Sequence, residues 1–171
     1  GLNFVPSSRR RIEMETAKTI ATSLKNSYSV GIFQDQTAEE VNQIAREIGL
    51  DFAQLSGSET VAYCREIELP VIKTLKVNEL GATEDYAEVV DMFIVDGATP
   101  GSGEGYDYSK LKDFHPHKPF LVAGGVNPDN ARIILSILPG AAGLDAASGI
   151  ETESLVDTHK INEIVQAIVG E

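Results

Sequence analysis

Phe120-Leu-Val-Ala-Gly-Gly-Val-Asn-Pro128, followed one helix later by Gly143-Leu-Asp-Ala-Ala-Ser-Gly149, is the stretch that decides the fold of this 171-residue chain. Each apolar run is short, as a buried strand should be. Each ends in glycines, which lack a Cβ and let backbone N–H groups come close to a ligand. Two neighbouring strands that end this way form a phosphate site like the one after strands 7 and 8 of a (β/α)8 barrel. The pair points to an enzyme acting on a phosphorylated small molecule.

The rest of the chain repeats the same unit. Apolar residues recur at helical spacing in Val41, Ile44, Ala45 and Ile48, in Ala131, Ile134, Leu135 and Leu138, and in Ile161, Ile164, Val165 and Ile168. Met14, Ala17, Ala21 and Leu24 form a looser stripe of the same kind. Thr37 and Glu40 supply a capping box ahead of the second helix. A further helix is expected from about Glu59 to Glu66, and a short one after Asp107. Between these lie continuous apolar runs: Tyr28 to Phe33, Phe52 to Leu55, Val71 to Leu75, Met92 to Val95, Phe120 to Ala123 and Ala141 to Leu144. Continuous rather than alternating apolarity means strands covered on both faces, hence a parallel sheet. No linker or composition break interrupts the alternation, so residues 1–171 read as one α/β domain. With Gly1 to Val5 there are about seven strands, one short of a closed barrel. The expectation is a (β/α)8 TIM barrel whose first βα unit and the start of whose second strand are missing from the chain.

Composition narrows the function. The net charge is −12, which argues against a nucleic-acid surface, since a phosphate backbone needs a basic face. No apolar run approaches the roughly 18 residues of a membrane span. The single cysteine, Cys64, excludes an internal disulfide framework and fits a cytoplasmic setting. His115, His117 and His159 show no metal-ligand spacing, so no metal is expected.

Asp96 ends the Met92–Val95 run, and Gly97-Ala-Thr-Pro-Gly101-Ser-Gly-Glu-Gly105 follows it. A carboxyl at that strand end can serve as general acid or base, or can cap the turn. Pro6-Ser-Ser-Arg-Arg-Arg11 places three arginines in an acidic chain; they either grip a carboxylate or form a solvated turn. Gly124, Gly125, Ser148 and Gly149 offer backbone amides to phosphate, or glycine is required there sterically. Asp145 closes the last run. Lys73 could form a Schiff base, as lysines at barrel strand ends do in aldolases. Cys64, in mid-helix, reads as a small buried residue rather than a nucleophile.

Taken in order, Phe4-Val-Pro-x-Ser-x-Arg10, Val30-Gly-Ile-Phe33, Gln54-Leu-x-Gly57, Val71-Ile-Lys73, Ile94-Val-Asp96, Gly101-Ser-Gly103 with Tyr106-Asp-Tyr108, Ala123-Gly-Gly-Val-Asn-Pro128 and Asp145-x-x-Ser-Gly-Ile-Glu151 resemble the phosphoribosylanthranilate isomerases of tryptophan biosynthesis. The resemblance covers essentially the whole chain. It implies a cytoplasmic isomerase, monomeric or homodimeric, that needs no cofactor and binds neither nucleic acid nor membrane. The reaction implied is the Amadori rearrangement of N-(5'-phosphoribosyl)anthranilate to 1-(2-carboxyphenylamino)-1-deoxyribulose 5-phosphate. By the same resemblance Asp96 is the general acid that protonates the ribose ring oxygen, and Arg10 pairs with the anthranilate carboxylate. Gly124, Gly125, Ser148 and Gly149 match the phosphate site, and Gly101, Ser102, Gly103 and Asp145 fall within the active site. Two departures stand out. The Lys-Ile-Cys-Gly strand, whose cysteine is the family's base, is not in the chain, and Ser56 stands where family members often carry histidine. The expectation is therefore an isomerase lacking its front, with little turnover and poor stability as a 171-residue piece. Two alternatives remain open: another sugar-phosphate barrel enzyme (an epimerase or an aldolase using Lys73), and an inactive phosphate-binding fragment completed by a partner chain.

Overall fold

The computed structural model describes residues 1–97 and 106–169. The chain forms two compact units, one of Gly1–Thr74 with Asp85–Met92, the other of Leu75–Glu84 with Phe93–Glu171.

In the first unit, β1 (Leu2–Asn3), β2 (Val30–Phe33), β3 (Phe52–Leu55) and β4 (Val71–Lys76) lie side by side in chain order. All pairs are parallel, with Leu2 beside Gly31, Phe33 beside Leu55 and Leu55 beside Lys73. The connections are α1 (Met14–Ser23), α2 (Ala38–Ile48) and α3 (Val61–Cys64), and the unit also holds part of α4 (Thr83–Tyr86). The α2 capping box is present: Glu40 N donates to Thr37 Oγ1 at 3.2 Å, and Thr37 N donates to Glu40 Oε2 at 2.9 Å. Gly49 ends that helix at φ 77°, a left-handed cap that glycine adopts without a Cβ penalty. Val41, Ala45 and Ile48, three of its four stripe residues, are buried.

In the second unit β5 (Met92–Asp96), β6 (Phe120–Val122) and β7 (Gly143–Leu144) are again parallel neighbours, Phe93 beside Phe120 and Leu121 beside Gly143. Helices α5 (Ala131–Ile137) and α6 (Thr158–Val169) pack on each other. An antiparallel hairpin of β8 (Glu151–Thr152) and β9 (Leu155–Val156) precedes α6. The core of this unit is Phe93, Val95, Leu111, Val122, Val126 and Ile134.

The strand–helix alternation read from the sequence is present, with the unforeseen helix α4 added and further differences in three places. The helix expected over Glu59–Glu66 is one turn, Val61–Cys64, because Thr60 caps it and Glu59 is drawn into a buried ion pair. The strand expected over Ala141–Leu144 shrinks to two residues. The β8–β9 hairpin was not foreseen: Glu153 and Ser154 turn it with φ of 51° and 69°, a conformation that non-glycine residues do not advertise in sequence. Asp145 accordingly lies just beyond β7.

Candidate active site

Parallel strands carry their ligand sites at the carboxyl ends, where following loops and helix starts expose backbone amides. In the second unit that end of β5 is Asp96. Its carboxylate accepts from the Gly97 amide at 2.7 Å, while its carbonyl accepts from Val77 N at 2.9 Å. Burial pushes the Asp96 carboxyl above the ordinary aspartate value, against the Gly97 hydrogen bond, which pulls it down. A half-buried carboxyl so placed holds its proton to higher pH, which suits a proton donor.

Two tyrosines wall this carboxyl. The Tyr106 and Tyr108 rings lie 4.7 Å apart and tilted at 50°. Tyr108 donates its hydroxyl to the Gly124 carbonyl at 2.6 Å. The Tyr106 hydroxyl is buried and, among the described residues, has no hydrogen-bond partner. Burial raises the pKa of both phenols; Tyr108 and then Asp96 add to it at Tyr106, and Asp96 adds to it at Tyr108. The motif Tyr106-Asp-Tyr108 was visible in the sequence, but nothing there showed that the rings would close over Asp96.

Gly124 and Gly125 follow β6 with φ of 82° and 73°, left-handed backbone suited to glycine. A Cβ on Gly124 would sit 2.6 Å from Asp96 Oδ1. The Gly125 carbonyl accepts from Asn127 Nδ2 and Asn130 Nδ2 at 3.1 and 2.9 Å, which locks the turn. Among the described residues neither the Gly124 nor the Gly125 amide has an acceptor. Ser148 and Gly149 begin a three-residue 3₁₀ turn, and Gly149 abuts the Val126 carbonyl so closely that no Cβ fits. Asp145, between these turns, has its pKa raised by burial and then by Asp96. The second unit thus gathers Asp96, Gly124, Gly125, Asp145, Ser148 and Gly149 after β5, β6 and β7. Gly101, Ser102 and Gly103 lie outside the described residues. A hollow lined by Phe114 to Phe120 and Gly140 is at the opposite end of β6 and takes no part.

In the first unit the Arg9–Arg11 run follows β1. Ser8 N donates to Val5 O at 3.0 Å and Arg10 N to Ser8 Oγ at 3.1 Å, two interlocked turns that set the arginine backbone. Arg9 and Arg11 are exposed and Arg10 is half-buried, which singles it out of the three.

Lys73 is spoken for. Its ammonium donates to Glu59 Oε2 at 2.9 Å, Gly57 O at 2.7 Å and Leu55 O at 3.2 Å, so all three of its protons are used. Both side chains of the pair are buried, 3% and 1% exposed. Register places Lys73 beside Leu55, which in turn lies beside Phe33, on the face turned toward α3. An amine held there by a carboxylate has no lone pair to offer a carbonyl. Cys64 in α3 is buried, and that burial raises its thiol, which disfavours the thiolate that a nucleophile or base needs. Among the described residues no cluster of His, Cys, Asp or Glu could hold a metal ion.

The model of the family described as N-(5'-phosphoribosyl)anthranilate (PRA) isomerase matches residues 1–167. The chain is 37% identical to the N-(5'-phosphoribosyl)anthranilate isomerase of Dehalococcoides mccartyi, over 94% of this chain and 81% of that protein. It superposes with a TM-score of 0.87 on the Thermus thermophilus phosphoribosyl anthranilate isomerase, at 32% identity, covering 99% of this chain and 86% of that one. A phosphoribosyl anthranilate isomerase in complex with reduced 1-(o-carboxyphenylamino)-1-deoxyribulose 5-phosphate matches with a TM-score of 0.85 at 26% identity, over 100% and 87% of the two chains. With a family model spanning nearly all its residues and relatives above 30% identity, the chain belongs to the N-(5'-phosphoribosyl)anthranilate isomerase family.

Proposed function

We propose that the chain catalyses the family's aldose–ketose isomerisation with Asp96 as the proton donor to the ribose ring oxygen. The observation that carries this is the Asp96 carboxyl itself: it ends β5, is half-buried, and is shifted toward its protonated form by burial. Ring opening leaves an oxyanion unless a proton arrives with bond cleavage, and a carboxyl that holds its proton to higher pH can deliver it. Arg10 takes the anthranilate carboxylate, a planar two-oxygen anion matched to a guanidinium. The amides of Gly124 and Gly125, which have no acceptor among the described residues, take the 5'-phosphate together with the turn at Ser148 and Gly149. Asp145 borders the substrate. Gripping both ends converts proton transfer into a step between prearranged groups. No cofactor enters.

The aldolase reading fails on Lys73, whose protons are all committed. The base that removes the C2' proton is not Cys64. We place it in a further βα unit, which would complete a (β/α)8 barrel and which fits the 81–87% of relatives' length that the chain covers. Turnover is expected from a longer form and little from residues 1–171 alone. Equal turnover by both would overturn that placement.

Binding tests the substrate assignment without needing the base. Titration of reduced 1-(o-carboxyphenylamino)-1-deoxyribulose 5-phosphate should saturate at one site, with inorganic phosphate competing and Arg10→Ala weakening it at least tenfold. Absence of saturable binding would contradict the assignment.

A further inference from the structure

Gln54, Ser56 and Thr74 form a polar cluster at the carboxyl ends of β3 and β4 that the roles above leave unused. Gln54 Nε2 donates to Ser56 Oγ at 3.2 Å and to Thr74 Oγ1 at 3.4 Å. The two hydroxyls are 3.3 Å apart, and either can be the donor. Register puts Gln54 beside Ile72 and Ile32. Strand alternation then sets Thr74 on that same face, away from the face of Leu55 and Lys73.

We propose that Ser56 and Thr74 form a hydroxyl donor site for an oxygen acceptor of the substrate, a sugar hydroxyl or the carboxylate. Proton bookkeeping leads there. The Gln54 amide spends its two protons on the two hydroxyl oxygens. The hydroxyls own two protons between them, and only one is used in their mutual bond. One O–H therefore has nothing to donate to within the cluster, and neither hydroxyl has another partner among the described residues. All three contacts are at or beyond the long end of the usual range, so the cluster gives up little by turning toward an incoming oxygen. Ser56 and Thr74 are half-buried rather than sealed, with the apolar Ile32 and Ile72 below them.

The opposite face shows why the site holds its shape. Behind Ser56, Lys73 grips the carbonyls of Leu55 and Gly57, while Glu59 receives the Gly57 amide at 3.1 and 2.9 Å and the Asp35 amide at 3.0 Å. Asp35, itself at φ 57°, accepts from the Ser58 amide at 2.6 Å. The backbone on both sides of Ser56 is thus pinned by a buried ion pair, which is how a donor is pre-organised.

The inference rests on the isomerase reading for its ligand. The test is the Kd of the reduced product analogue for wild type, Ser56→Ala, Thr74→Val and the double variant, with folding checked by circular dichroism. Either single substitution leaves one hydroxyl able to donate. Binding should weaken twofold or less in each single variant. The double variant removes the last proton and should weaken binding fivefold or more, beyond the product of the singles. Thr74→Ser should bind as wild type does. If the double variant does not fold, Ser56→Gly with Thr74→Ala removes the same protons with less bulk. A double variant that loses less than fivefold overturns this inference alone. Failure of wild type to bind the analogue overturns it together with the substrate assignment. Repeating the titration with ribose 5-phosphate and with anthranilate separates the acceptors: the fragment whose affinity falls in the double variant carries the acceptor, and loss with neither overturns the inference.

Discussion

Asp145 shows what a single buried carboxyl does to this protein. Its folded pKa is raised, so its contribution to stability is whole below the unfolded value and is lost as pH rises through the folded one. Asp145→Asn should therefore raise Tm at pH 8 and leave it nearly unchanged at pH 3, a dependence that thermal melts across pH would show. Equal shifts at both pH values would contradict it. Gly149 gives the opposite case. Its Cβ would strike the Val126 carbonyl, which is backbone and cannot swing aside, so Gly149→Ala should cost about 1–3 kcal/mol of stability. Urea unfolding at neutral pH measures this. Residue identity alone was enough to pick out Asp96, Asp145 and the glycines, because their types and strand-end positions are unusual. It could not show which of three arginines turns inward, since that depends on the Ser8 turn.

At the scale of elements, the strand–helix order was legible because each run carries its own period, 3.6 for α2 and α5 and unbroken apolarity for β2 to β6. Ala131, Ile134 and Leu138 are buried as the stripe requires. In α6 only Ile164 is, and Val165 and Ile168 remain 51% and 42% exposed. A period reports that a helix has an apolar face, not whether that face is covered in a given chain. Lys73 and Glu59 were the least legible pair, because a lysine inside Val71–Lys76 says nothing of a carboxylate fourteen residues away. Removing one partner strands the other charge in the interior, so Lys73→Met or Glu59→Gln should each destabilise by about 3–5 kcal/mol. Chemical denaturation of each variant tests this, and a loss below about 1 kcal/mol would mean that water reaches the pair.

For the molecule as a whole, family membership was readable from the order of its motifs, whereas the arrangement around Asp96 needed three dimensions: Tyr106 and Tyr108 and the locked Gly125 turn come from different parts of the second unit. The raised Asp96 pKa also sets a pH limit. A donor must be protonated, so kcat should fall as pH rises through that pKa and hold below it until another group titrates. The most direct test of the account is steady-state conversion of N-(5'-phosphoribosyl)anthranilate by the full-length protein and its Asp96→Asn variant. Wild type should convert the substrate and the variant should lose about 10²–10⁴ in kcat, with affinity for the reduced product analogue retained. An Asp96→Asn protein as fast as wild type, or a wild type inert toward this substrate, would contradict it.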